Sequence, residues 1–446
     1  MSTKNTSLAD KGQRIGLRLM ARAGGLPALQ DPKVRSTLGR YLYRSAKTGF
    51  AAQQVAGKAF VKKKGSGEPA RPRPVRPGTV FDLTASEDQA MIQGVARELA
   101  DEMIRPAGSA ADTDRAVPAE VRDAATQMGL HLVGVPEALG GIAEERSAVT
   151  AALVLEELAR GDMGIAVALM APAAVATAIA SYGSADQQAT YLPELVSETP
   201  AVAALALMEP QPLADPLAPT TTGRYEGGDL VLDGVKAIVP GAASADLFVI
   251  SAMVGDEPRL VIVERVDEGG AAVDGLAVQD DPAMGVRAAA TGRLELCGVR
   301  VPVANLLGTS ADHLDAVRRA RLAWSAAAVG TAQAVLDHVR TYVTERHAFG
   351  EPIGYRQAVA FTVADIAIEL EGLRLVVWRA AARLDRGKDA SDLIASARRL
   401  TASVGAEIGS SAVQLLGGHG FVKEFDNERW YRDLRGAGVL EGSLLI

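Results

Sequence analysis

The chain has 446 residues with 47 Lys and Arg against 54 Asp and Glu, a net charge of −7, and a single cysteine, Cys297. That cysteine count excludes a disulfide framework and any cysteine-clustered zinc or iron–sulfur site, and five scattered histidines offer no pair at metal-ligand spacing. The charge is split: residues 1–80 carry 17 basic and 3 acidic side chains, leaving 30 basic and 51 acidic for the remainder. An acidic body of this kind repels phosphate backbones, so nucleic acid is not an expected partner.

Taken in chain order, residues 1–80 form a basic N-terminal extension. Val34, Leu38, Tyr41, Leu42, Phe50, Val55 and Phe60 recur at roughly helical spacing among Arg35, Arg40, Arg44, Lys47 and Lys58. This predicts an amphipathic helix with a basic face, followed by Lys62–Lys64 and a Gly/Pro/Arg linker. Peripheral docking on an anionic membrane or an acidic partner is one reading; a solvated arm, or a helix packed on the acidic body, is the other. No secretory signal opens the chain. The Arg-rich, acid-poor start is compatible with a mitochondrial transit peptide, but its basic character runs longer than such peptides need. The cysteine usage predicts a reducing compartment, with a cytoplasmic, membrane-peripheral location expected.

From residue 81 to about 200 the pattern predicts a helical domain, with Asp82, Thr84 and Ser86 as candidate caps. Met163 to Ala185 runs without a charge and is long enough to span a bilayer. Its Ala-rich composition, Pro172 and the absence of flanking Lys/Arg predict a buried core helix instead. Residues 201–309 change texture. Leu230–Val239, Leu247–Val254, Leu260–Val263 and Leu294–Val301 are short β-rich runs separated by turn residues, which predicts an antiparallel β domain. Residues 310–446 return to helical spacing through Leu322–Leu336, Val359–Leu375 and Leu393–Leu416. The expected class is therefore α+β, with a helical, a β and a helical domain in sequence. No P-loop, dinucleotide fingerprint or nucleophile elbow is present.

Short motifs carry the rest. Arg346, Phe349, Gly350, Pro352, Ile353 and Gln357 are followed by Gln414, Gly417, Gly418 and Gly420, then Arg432, Asp433 and Arg435, then Glu441, Gly442 and Ser443. In this order and spacing they resemble the signatures of acyl-CoA dehydrogenases. Weaker echoes lie at Gly129–Glu137, Glu156–Arg160 and Val299–Gly308. The resemblance covers about residues 81–446.

The resemblance implies FAD as cofactor and α,β-dehydrogenation of an acyl-CoA thioester, with Glu441 as the base that removes the α-proton. Its backbone N–H polarises the thioester carbonyl. Ala320 stands where some relatives place the base on an earlier helix. Arg321 and Gly442 match substrate-contacting positions. Arg346, Phe349, Gln357, Gln414, Gly417, Gly418 and Ser443 match cofactor-contacting ones, several reaching a neighbouring subunit. The resemblance therefore also implies a homo- or hetero-oligomer, dimer or tetramer, and an electron-transferring flavoprotein as acceptor.

Two departures qualify this expectation. Met208, Ala214, Ile238 and Pro240 stand where the family carries Thr, Ser, Trp and Thr against the flavin ring. The chain also ends five residues after Glu441, where the family continues, which predicts a poorly anchored base turn. Both departures point to an alternative: a flavin-poor, non-catalytic subunit acting as a structural partner.

Overall fold

The computed structural model describes residues 84–142, 144–266 and 269–446; the predicted N-terminal basic helix lies outside them. The first block is helical. Ser86 caps α1 (Glu87–Leu99) in a reciprocal capping box with Gln89, so of the three candidate caps it is Ser86 that starts the helix. A π turn (Ala100–Ile104) joins α1 to α2 (Arg105–Asp114), and α3 (Ala119–Gln127) follows. Next come α4 (Ala148–Gly161), α5 (Met163–Tyr182) and α6 (Ala185–Leu195). α5 is the charge-free stretch. Although long and apolar enough to cross a membrane, it is 78% buried within the protein over its most apolar window. Asp162 starts it, accepting the Ile165 N–H at 2.9 Å.

The β block is an eight-stranded sheet ordered β6-β7-β3-β2-β4-β5-β8, with β1 (Ala203–Ala206) added beside β4. Its members are β2 (Thr222–Glu226), β3 (Asp229–Val239), β4 (Leu247–Val254), β5 (Glu257–Glu264), β6 (Leu276–Asp280), β7 (Gly292–Pro302) and β8 (Leu306–Leu307). The pairings β2–β3, β3–β7, β4–β5, β5–β8 and β6–β7 are antiparallel, as expected. β1 and the start of β2 instead run parallel to β4, which makes the sheet mixed. Between Lys236 and Val239 the register with β7 shifts, so Ala237 and Ile238 together face Arg293. This bulge drives β-branched Ile238 to φ 50°.

The last block is built on α7 (Ser310–Glu345), 36 residues and so roughly 54 Å long. A small hairpin, β9 (His347–Ala348) and β10 (Glu351–Pro352), leads to α8 (Gln357–Asp385). α9 (Ser391–Leu400), a π turn (Thr401–Gly405), α10 (Ala406–Leu416) and α11 (Asn427–Ala437) complete it. α4 and α7 approach to backbone contact: a Cβ on Gly330 would lie 1.9 Å from the Glu156 carbonyl oxygen. Only glycine permits that crossing.

The segment after Glu441 is not loose. Leu444, Leu445 and Ile446 are buried. Arg146 and Arg319 donate to the Ile446 backbone oxygen at 2.7 and 3.1 Å. Ser443 N–H donates to Leu205 O on β1 at 2.9 Å. The expectation of a poorly anchored turn is thereby corrected: apolar burial and two guanidinium groups hold it without a further helix.

Candidate active site

α11 ends at Ala437, and the chain turns through Gly438 to Glu441. Gly442 (φ 72°) and Ser443 (φ 69°) are both left-handed. A Cβ on Gly442 would meet Leu207 at 2.9–3.0 Å, so this turn presses directly on the end of β1. Trp324 of α7, 1% exposed, donates Nε1–H to Gly442 O at 2.9 Å. The turn is thus held from the helical side and the sheet side at once. Among the described residues the Glu441 N–H has no hydrogen-bond acceptor, which leaves it available to a ligand.

The Glu441 carboxylate is engaged. Arg321 Nε lies 3.0 Å from both oxygens, and Arg398 Nη2 lies 3.2 Å from Oε1. The sequence reading placed Arg321 near substrate but did not foresee that it bonds Glu441. It missed Arg398 altogether. The carboxylate faces a cavity of about 620 Å³ lined by the segment 207–216 together with Ala237, Ile238, Asp281, Arg293, Arg398, Gly438, Val439 and Glu441.

The 207–216 wall is pinned by one buried pair. Glu209 (4% exposed) accepts Lys236 Nζ (0% exposed) at 2.8 Å. It also takes the N–H and hydroxyl of both Thr220 and Thr221 at 2.6–2.8 Å. Lys236 additionally donates to Ser251 at 3.0 Å. Burial alone would raise the Glu209 pKa, but Lys236 and the threonine donors overcome it and hold the carboxyl down at about 2. Burial pulls the Lys236 ammonium down to about 8 against the pull of Glu209. The two shifts describe one charged pair that is ionised on both sides near neutral pH.

The remaining predicted site residues lie elsewhere. Arg346, Phe349 and Gln357 are exposed at the far end of α7, Phe349 at φ 55°. Arg321 and Arg346 are 25 residues apart on, or at the end of, one helix, so roughly 37 Å of helix length lies between them. Gln414, Gly417 and Gly418 are exposed at the end of α10. Gly417 has φ 58° and ψ −130°, a conformation for glycine alone, and a Cβ on either glycine would meet nothing within 4 Å. Within one chain, then, Glu441, Arg321, Gly442 and Ser443 converge, and Arg346, Phe349, Gln357, Gln414, Gly417 and Gly418 do not join them.

Do these residues fit FAD? The outer ones do: Arg346 is exposed with no ion pair among the described residues, and Gly417 and Gly418 form an open backbone cradle. At the cavity the fit is by shape. Leu213 (φ 61°), Ile238 and Ser443 line or border it in left-handed conformations; strained non-glycine backbone of this sort clusters at ligand sites. The ring-facing hydroxyls are absent, since Met208 and Ala214 line the cavity where Thr and Ser were called for. Pro240 lines a different cavity, of about 640 Å³, between α3, α5 and the β block. A ring seated here would be held by enclosure and backbone and not by the Thr and Ser hydroxyls.

Helical, β and helical blocks closing on a carboxylate-bearing cavity define a class, and comparison with known proteins specifies it. Three family models match in order: the acyl-CoA dehydrogenase N-terminal domain at residues 86–199, the middle domain at 204–299 and the C-terminal domain at 313–445. The chain is 30% identical over 369 residues to the short-chain specific acyl-CoA dehydrogenase, mitochondrial, of Rattus norvegicus, covering 80% of this chain and 87% of that one. It is 29% identical over 366 residues to the isobutyryl-CoA dehydrogenase, mitochondrial, of Dictyostelium discoideum, covering 80% and 86%. Among solved structures, butyryl-CoA dehydrogenase from Megasphaera elsdenii superposes with a TM-score of 0.73 at 26% identity, covering 81% of this chain and 96% of that one. The chain belongs to the acyl-CoA dehydrogenase family. It is an FAD-dependent oxidoreductase of acyl-CoA thioesters with that family's α+β fold.

Proposed function

We propose that the chain dehydrogenates a short acyl-CoA between Cα and Cβ, with Glu441 as the base. The carrying observation is Glu441 itself: its carboxylate faces the cavity from a turn held by Trp324, Leu205 and Leu207. Its N–H, free of any protein acceptor among the described residues, points to hydrogen bonding of the thioester carbonyl, which acidifies the α-carbon. FAD, when bound, supplies the acceptor for the β-hydrogen as hydride. Arg346, Gln414, Gly417 and Gly418 would hold its phosphate-bearing end, where a guanidinium fork suits phosphate oxygens. Met208, Ala214 and Ile238 enclose the ring end without hydroxyls. Relatives named for isobutyryl-, butyryl- and other short-chain substrates support a short acyl group.

Because α7 separates the two groups of residues, we infer a cofactor site completed by a second copy. Phe361, Ile368 and Leu375, exposed at seven-residue intervals on α8, supply an apolar face for that contact. An electron-transferring flavoprotein is the proposed acceptor, and the cytoplasm the proposed location. The alternative, a flavin-poor partner subunit, draws on the missing hydroxyls.

The test is direct. Protein purified alone should be yellow, and butyryl- or isobutyryl-CoA should bleach it anaerobically. Glu441→Gln should keep the flavin and lose the bleaching. Colourless protein that takes up no added FAD would favour the partner-subunit reading, and bleaching at the wild-type rate in Glu441→Gln would exclude Glu441 as base.

A further inference from the structure

The reading of Glu441 as base leaves Arg398, a cavity-wall group bonded to that carboxylate, without a role. Arg398 sits in the last turn of α9, immediately before the π turn Thr401–Gly405. An inserted π turn shifts every following side chain around the helix axis, and such turns recur at functional sites. Here the π turn abuts the base turn. A Cβ on Gly438 would lie 2.6 Å from Ala402 Cα, and one on Gly405 would lie 3.4 Å from Leu434 O.

Arg398 bridges the two elements with both arms of its fork. Nη1 donates to Ala437 O, the last carbonyl of α11, at 2.7 Å. Nη2 donates to Glu441 Oε1 at 3.2 Å. The side chain is 14% exposed, against 23% for Arg321. Arg398 is thus tied to the main chain on one side and to the carboxylate on the other. Arg321 has only Glu441, apart from Asp215 at 3.9 Å.

The hydrogen-bond count on Glu441 shows what this bridge does. A carboxylate offers about four lone-pair sites. Oε1 receives two donors, Arg321 and Arg398, while Oε2 receives Arg321 alone. The unfilled acceptor site therefore lies on Oε2, and the carboxylate plane is fixed by two guanidinium groups arriving from α7 and α9. A proton-accepting carboxylate gains from such orientation.

We propose that Arg398 is a positioning residue for the α-proton abstraction. It orients Glu441 so that Oε2 presents its open site to the cavity. This rests on Glu441 being the base, and the experiment separates the two claims. Bound flavin is bleached anaerobically with butyryl-CoA or isobutyryl-CoA, whichever acts faster on the wild type, in Arg398→Met, Arg398→Lys and Glu441→Gln. Arg398→Met should retain flavin and show the wild-type half-saturating thioester concentration, with a limiting rate lower by about 10²-fold. Arg398→Lys, which keeps a cation but cannot bridge both acceptors with one planar fork, should fall between the two. A wild-type limiting rate in Arg398→Met, or a loss confined to half-saturation, would overturn the proposal. If the methionine variant does not hold flavin, the lysine variant decides: a limiting rate reduced several-fold upholds the role, and a wild-type rate overturns it. Failure of the base reading has its own signature, wild-type bleaching in Glu441→Gln.

Discussion

Removing the Lys236 ammonium tests how the cavity wall is held. Lys236→Met keeps much of the side-chain volume and deletes the charge. In the native protein Nζ is fully buried, 2.8 Å from Glu209 Oε1 and 3.0 Å from Ser251 Oγ. Breaking a buried pair by deleting one partner costs about 3–5 kcal/mol, because the other charge stays buried. Glu209 keeps four donors from Thr220 and Thr221, and hydrogen bonds to a charged group contribute about 1.5–3 kcal/mol each. The expected loss therefore sits at the low end, about 3 kcal/mol, or somewhat over a hundredfold in the folding constant. Urea unfolding at pH 7, followed by circular dichroism, should show a lower midpoint with an unchanged slope. The double variant Lys236→Met with Glu209→Gln should recover at least half of the loss, since no charge is then buried. An unfolding free energy of Lys236→Met within about 1 kcal/mol of wild type, with no gain in the double variant, would refute the assignment of the wall's stability to this pair.

Three further outcomes are expected. Gly442→Ala forces a Cβ into Leu207 at φ 72°; the melting temperature should fall by several degrees, corresponding to about 2 kcal/mol, with bleaching impaired, and an unchanged melting temperature would contradict the turn geometry. Arg429→Met strands Asp162, whose Oδ2 accepts Arg429 Nε at 2.9 Å inside the core, so a loss of about 3–5 kcal/mol should appear in chemical denaturation. Asp433 is fully buried, and burial followed by its neighbour Asp162 raises its pKa to about 7. The native state therefore keeps a proton that the unfolded carboxylate releases near pH 4. This group's contribution to stability is full below about pH 4 and is lost as pH rises through about 7. Asp433→Asn should flatten the difference in melting temperature between pH 5 and pH 8, and an unaltered difference would show that the proton resides elsewhere.

Much of the fold was legible because α5 is a long charge-free apolar run and because α7 and the long strands are long enough for their apolar pattern to register. β1, β2 and β6 were not, being four or five residues long, too short for an alternation to register. The candidate base was legible from the Glu441–Ser443 motif and its spacing to Arg432. Its surroundings were not, since Arg321 and Arg398 are 120 and 43 residues away in sequence and Ser396-Ala397-Arg398-Arg399 reads as an ordinary helix end. Glu209 and Lys236 appeared as separate motif letters, and only the fold makes them one buried pair. Pro240 was read against the flavin ring because of its place in a strand motif. The bulge at Ile238 turns the strand there, and Pro240 faces another cavity.

The burial of α5 has a consequence for how this chain is made. Part of its cover comes from β1 and from the short turn Arg287–Ala289, the latter a hundred residues further along. At 5–20 residues per second, a ribosome needs roughly 5–20 s to deliver that turn after α5 has emerged. Throughout that interval a twenty-residue segment apolar enough for a bilayer lacks part of its cover. α4 and α6, which flank it in sequence, are the first neighbours able to cover it. Weakening either should show as lower yield of soluble protein before it shows as lower stability of what has folded.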